Sequence, residues 1–304
     1  SVRQNRGVTG KETIYVDNQE IEAIVKTLFN LGVTQFDEFT GEINLANLYD
    51  SEKRETALSS DIIHATISKQ IINLKDSQGS DSSDIVIPDS LITTKEEPGR
   101  TIKLVSRDEI DAIIQAFEAL GFETVDEFDG SFQLDTIAGN LLKQEQILNS
   151  VIIHATVSKQ ILKLHEDGNI VVPDIDENNK KIVELDENDN IKYVAKDEIS
   201  AVIDALYILN FTGVDYDNKK VNLNNLTDAI NLYDNKSDKE RVLESSIIRA
   251  TISRELINLH EQGNIVVPKE NYNEEEIIKD KGEFKFIAYN ELLALIDALD
   301  VINI

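Results

Sequence analysis

The stretch "NSVIIHATVSKQIL", residues 149–162, sets His154, Thr156, Ser158 and Lys159 among aliphatic residues. A hydroxyl beside an imidazole is the grouping of nucleophilic catalysis, in which the base takes the proton as oxygen attacks. His154 and Ser158 are four residues apart and would share one face of a helix. No carboxylate stands at a helical spacing that would orient the ring. The stretch also has sister copies. "SDIIHATISKQIINL", beginning at Ser60, keeps His64, but "SSIIRATISRELINL" places Arg249 at the same position. Arginine is no general base at neutral pH and no zinc ligand, so the position reads as a polar residue at the edge of a buried helix. The shared Thr66, Thr156 and Thr251, and the Ser two residues on, read as small residues at close packing contacts or as hydroxyls bonded to the carbonyl four residues back. His165 and His260, with Lys75 as their counterpart, fall in the last turn of the same helix, where a basic group complements the helix dipole.

Acidic residues offer two further chemistries. In "DIDENNKKIVELDENDN", residues 174–190, Asp174, Asp176 and Asn178 have the 1, 3, 5 spacing of a calcium loop. Asn179 then replaces the turn Gly and Leu185 the closing Glu. Calcium at these three residues is the one cofactor to weigh; the plainer reading is a solvated hairpin turn, and no other cofactor is expected. Glu20, Glu109, Glu198 and Glu291 recur at spacings of 89, 89 and 93 residues. In "SRDE", Ser106 and Glu109 have the form of a capping box, so these acids read as solvated first-turn residues rather than catalytic carboxylates. Asp37, Asp126 and Asp215 read as turn residues, with an acidic ligand as the alternative.

These recurrences imply repeating elements. The threonines lie 90 and 95 residues apart, and "DIVIP", "NIVVP" and "NIVVP" close at Pro88, Pro173 and Pro268. Three motif families in the same order point to tandem units of about 90 residues. The expected boundaries are 1–88, 89–173, 174–268 and a partial unit at 269–304, which carries a hairpin and the first helix as a possible cap. That remnant also allows the true folding unit to be permuted relative to this phase.

Each unit is expected to open with a β-hairpin, as in "KIVELDENDNIKYVA" and "EEIIKDKGEFKFIA", where apolar and polar residues alternate around a polar turn. Residues 2–16 would be its first copy. Helix A follows. In the second unit Ile110, Ile113, Ile114 and Phe117 share one face, and Gly121 stops the helix. Gly32, Asn210 and Asn303 are its counterparts. "VDEFDGSFQL", 125–134, and "FDEFTGEINL" predict two short strands around a tight turn. Helix B is the opening stretch, apolar nearly all round and therefore central. "NIVVP" predicts a short buried strand ended by proline. The expected fold class is α+β: a tandem array of small modules, elongated, with a partial fourth unit.

Composition narrows the function. The chain has 304 residues, 41% of them hydrophobic, which is enough for real cores. Lys and Arg number 30 against 57 Asp and Glu, a formal net charge of −27. Such a surface repels nucleic acid and anionic membrane, and attracts cations or basic partners. No apolar run approaches the ~18 residues of a membrane span, and no signal peptide is visible. Cys and Met are absent. The first excludes disulfides and thiolate chemistry; the second marks a processed or excised chain. Phosphate-cradling loops, G-x-S-x-G and H-E-x-x-H are missing. In texture the chain resembles tandem modules of large exported or cell-surface proteins of low-GC bacteria. That resemblance implies an extracellular or surface location and a protein or cell-surface partner, and it brings no site residues. The leading expectation is a non-enzymatic spacer, scaffold or adhesive segment. The alternatives are a calcium- or ligand-binding array using the acidic loops, and an enzyme with a cleft between units.

Overall fold

The computed structural model describes residues 3–6, 12–33, 35, 39–77, 85–97, 99–131, 134–186, 191–209, 236–271, 273–282 and 284–301. Asp37, Asp215, Asn210, Asn303 and the third copy of the expected second hairpin lie outside these residues. The elements in chain order are β1 (Arg3–Arg6), β2 (Glu12–Tyr15), α1 (Asn18–Asn30), α2 (Ser51–Ser59), α3 (Asp61–Ser77), β3 (Ile92–Glu97), β4 (Arg100–Val105), α4 (Arg107–Leu120), α5 (Leu134–Ile137), α6 (Leu141–Leu148) and α7 (Val151–Glu166). They continue as β5 (Val183–Leu185), β6 (Lys192–Val194), α8 (Lys196–Ile208), α9 (Asp238–Glu244), α10 (Ser246–Glu261), β7 (Ile278–Lys281), β8 (Phe284–Ile287) and α11 (Tyr289–Val301). The fold is mixed helix and strand, with the strands in small antiparallel hairpins: β1–β2, β3–β4, β5–β6 and β7–β8. Two compact units result, Ser1–Gly130 with Gln146–Ile153 and Ser131–Glu145 with His154–Ile304.

Helix A corresponds to α1, α4, α8 and α11. In α4 the Ser106 hydroxyl accepts the N–H of Glu109, and Ile110, Ile113, Ile114 and Phe117 are buried. Gly121 closes the helix at φ 80° and Gly32 follows α1 at φ 74°, a left-handed backbone that glycine adopts without strain. Helix B corresponds to α3, α7 and α10. A short helix that the patterning does not announce precedes each of them: α2, α6 and α9. Ser60 and Ser245 separate the two helices of their pairs by extended backbone.

Two expected strands are not strands. Val125–Glu127 is a single turn of 3-10 helix, and Leu134 opens α5, with residues 132–133 outside the described ones. The reason is spacing: Val125 and Phe128 are both buried three residues apart, which suits a helical turn, and Phe128 joins Phe117 and Phe122 with ring centroids 5.5 and 6.2 Å away. Leu45 and Leu48, the first-copy counterparts of Leu134 and Ile137, are buried in a 3-10 turn. Residues 170–173 of the "NIVVP" segment are buried but pair with no strand among the described residues. Their N–H groups go elsewhere, Ile170 to the Leu164 carbonyl, Val171 to Thr251 and Val172 to the His165 ring.

Candidate functional site

Three polar constellations recur, and each engages backbone. The first joins helix A to the start of helix B. Glu109 in α4 receives hydrogen bonds from the Ser150 hydroxyl at 2.7 Å and from the N–H groups of Val151 and Ile152 at 3.0 Å. Glu20 takes the Ser60 hydroxyl at 2.7 Å and the N–H groups of Asp61 and Ile62. Glu198 takes the Ser245 hydroxyl at 2.7 Å and the Ile247 N–H. A helix N-terminus presents unsatisfied donors and a positive dipole end, and a carboxylate supplies both needs. Glu109 and Glu198 are therefore buried. This corrects the reading of Glu109 as a solvated residue completing a capping box: Ser106 gives its N–H to the Leu91 carbonyl instead. At Glu20 burial pushes the carboxyl pKa up, but the Ser60 hydroxyl and the N–H groups of Ile62 and Asp61 outweigh it and hold the group below its ordinary value. Glu291 makes no such contact among the described residues.

A serine hydroxyl 2.7 Å from a carboxylate has the outline of an activated nucleophile. Here Ser60, Ser150 and Ser245 are fully buried, and each also accepts an N–H from the helix it starts, that of Ile63, Ile153 and Ile248. The oxygen is consumed by capping.

The second constellation is the stretch around His154. Ser158 accepts the N–H of Val194 at 3.0 Å, and His154 Nε2 lies 2.7 Å from the carbonyl of the same residue. In the first copy Ser68 and His64 hold Val105 in the same way, at 3.1 and 2.7 Å. So the histidine and the serine do come together, on the two backbone groups of one strand residue. Lys159 is exposed. Burial of both rings, only partly offset by the bonds to Val105 and Val194, holds the His64 and His154 pKa values below the ordinary one. In α10 Ser253 accepts the N–H of Ile287, but Arg249 turns to the carbonyls of Leu243 and Glu244 and to the Ser246 hydroxyl. The hairpins β3–β4, β5–β6 and β7–β8 are each bonded to the helix B that precedes them in sequence, so the expected boundaries at 88, 173 and 268 pass between bonded partners.

The third is the threonine on helix B. Thr251 donates to the Ile247 carbonyl at 2.8 Å and accepts the Val171 N–H at 2.9 Å. Thr156 is fully buried. Thr66 donates to the Ile62 carbonyl at 2.8 Å and is only half-buried. His165 and His260 accept the N–H groups of Val172 and Val267 through Nδ1, at 3.2 and 3.3 Å. Both rings lie in the last turn of their helices, as expected.

The acidic candidates separate. Asp174 and Asn178 are exposed, while Asp176 accepts the N–H groups of Asn178 and Lys180, both at 2.7 Å. Asn271 builds the same turn with neutral chemistry, accepting from Asn273 and Glu275 at 2.9 and 3.0 Å. Among the described residues no group of three His, Cys, Asp or Glu side chains could hold a metal ion.

Sequence patterning did not single out a polar recess of about 450 Å³, lined by Asp176, Glu177, Lys180, Asp197, Arg249 and Tyr289 among others. Arg249 and Lys279 each stand 3.6 Å from the Glu177 carboxylate, and the guanidinium lies 6.0 Å from the Tyr289 ring centroid. Also unread were Arg54, Gln144 and Lys239, which are buried and meet Asp111, Asp204 and Asp297. The available signal was position: each lies six residues before the capping serine.

No helix among the described residues is long and apolar enough to cross a membrane. No family model matches the chain, and no curated protein or solved structure matches it either.

Proposed function

We propose that the chain is a non-enzymatic tandem-repeat protein, an elongated array of small α+β modules that serves as a spacer, scaffold or adhesive segment of a larger bacterial exported or surface protein. One observation carries this reading. The carboxylate, serine and helix-start contact is made at Glu20, Glu109 and Glu198 with equivalent partners, so the polar residues that recur along the chain are spent on assembling it. A surface location rests on composition alone, and a basic or cell-surface partner on the charge of −27. Small-angle X-ray scattering tests the array: the expected radius of gyration is well above the ~19 Å of a compact chain of this length, and a value near 19 Å overturns it.

The recess at Arg249 favours a second reading, a ligand-binding array. Glu177 Oε2 and Arg249 Nε are buried there without a hydrogen-bond partner among the described residues, which suits a small polar ligand; calcium at the acidic turn is the cation version. Melting curves with calcium, then with chelator, test the latter, and coincident midpoints remove it.

A further inference from the structure

We propose that this chain associates head to tail with a second copy of itself, residues 264–268 of one molecule docking on α3 of the next. The template lies inside the protein. Residues 169–173 sit on α10, where Val171, Ala250 and Phe286 form a buried cluster. The Val171 N–H meets the Thr251 hydroxyl at 2.9 Å, and Arg254 reaches the carbonyls of Ile170 and Asn169 at 3.5 and 3.4 Å.

Both halves of this contact occur again, each uncovered. Residues 264–268 repeat the "NIVVP" sequence. Val266 is 83% exposed where its counterpart Val171 is 6% exposed, and its N–H has no partner among the described residues. On α3 the counterparts of Ile247, Ala250 and Thr251 are Ile62, Ala65 and Thr66. Ile62 is 43% exposed against 0% for Ile247. Ala65 and Thr66 are half-buried, and the Thr66 oxygen accepts no hydrogen bond from a described residue. Lys69 stands where Arg254 stands and is exposed, placed to reach the Asn264 and Ile265 carbonyls of the incoming copy. One face therefore lacks a donor and an apolar cover, and the other offers both.

The two surfaces differ, so the contact is heterologous: it leaves a free head and a free tail and extends into oligomers. The net charge of −27 opposes it, and salt screening strengthens it. Sedimentation velocity of the full chain over rising concentration, at 0.15 and 0.5 M salt, is the test. The expected result is a weight-average sedimentation coefficient that climbs with concentration, and more steeply at high salt. Val266→Glu and Thr66→Lys each block one face, so each alone is expected to stay monomeric. Mixed, they retain one working head and one working tail and are expected to form a 1:1 dimer that grows no further. Thermal melts of both variants confirm folding; as a milder pair, Val266→Ser and Thr66→Val should each weaken association at least fivefold. Monomeric wild-type chain at every concentration, association that survives Val266→Glu, or a mixture that stays monomeric overturns the proposal. The scattering experiment on the monomer decides the array reading separately.

Discussion

Residues 169–173 and 264–268 both read Asn-Ile-Val-Val-Pro, and their local bonds agree. Ile170 and Ile265 give their N–H groups to Leu164 and Leu259, and Val172 and Val267 give theirs to His165 and His260. Their burial differs: residues 170–173 are buried, whereas Asn264, Val266 and Pro268 are exposed and Ile265 and Val267 are half-buried. Val171 is buried with its N–H on Thr251, whereas Val266 stands in solvent. Five identical residues thus carry the conformation in both places, while burial comes from the helix laid against them. The local bonds are kept without a covering helix, and the Val266 side chain is left in solvent.

The sharpest way to break this comparison is to place a charge at each valine. Val171→Asp buries a carboxylate among Ala250 and Phe286, with an expected loss of about 3 kcal/mol or more. Val266→Asp is expected to change stability by no more than about 0.5 kcal/mol. Urea unfolding midpoints measure both, and equal effects would mean that the neighbouring helix is not what separates the two segments.

The repeated glutamates extend the same contrast. Glu109→Ala leaves the Ser150 hydroxyl and the N–H groups of Val151 and Ile152 buried without their acceptor, an expected loss of about 2–3 kcal/mol. Glu291→Ala removes a half-buried side chain that meets no helix start among the described residues, and should change the midpoint little, by about 0.5 kcal/mol or less. A large loss at Glu291 would show that the contact at Glu109 is not the source of its effect.

How far the sequence reveals the structure follows from the range of each interaction. Helix A is legible because its determinants are local: Ser106 as cap, the Ile110–Phe117 face and Gly121 as stop. The hairpins are legible from alternation. Val125 and Phe128 mislead because Asp129-Gly130 advertises a hairpin turn, while the decisive partner, Phe117, is on another element. The candidate site residues are legible as repeats and illegible as roles. The Glu109 side chain reaches Ser150, 41 residues on, and Thr251 meets Val171, 80 residues back. One-dimensional spacing of 3 or 4 residues carries no trace of such contacts. Arg54, Gln144 and Lys239 share a position without sharing a residue type, so identity between copies passes over them.

The threonines give a smaller and cleaner contrast. Thr251→Val keeps the shape and removes the acceptor of the Val171 N–H, an expected loss of about 1–2 kcal/mol. Thr66→Val removes a hydroxyl whose only described bond returns to its own helix, and the monomer's midpoint should hold within about 0.5 kcal/mol. A loss at Thr66 equal to that at Thr251 would place the threonine's worth in the helix rather than in the docked segment.

The smallest expected effect concerns pH. His64 and His154 hold the carbonyls of Val105 and Val194, and burial sets their folded pKa values below the ordinary 6.5. The unfolded chain then binds more protons than the folded one as pH falls through this range, so stability rises with pH. The contribution is intact above about pH 6.5 and is lost as pH drops toward the depressed folded values. Glu20, whose folded pKa lies below 4.5, adds a separate loss that begins only below about pH 4.5. Replacing both histidines by Gln keeps a donor for each carbonyl and removes the titration. Between pH 6.5 and 5.5 the double variant should lose less stability than the parent, with the other carboxylates affecting both alike. The third copy carries Arg249 in place of a histidine, so His154→Gln alone should flatten the profile of the second copy's contact while leaving that of the third untouched. Parallel profiles for parent and double variant would show that the two rings gain no protons on unfolding, and that their burial against the hairpins is weaker than the 2.7 Å contacts imply.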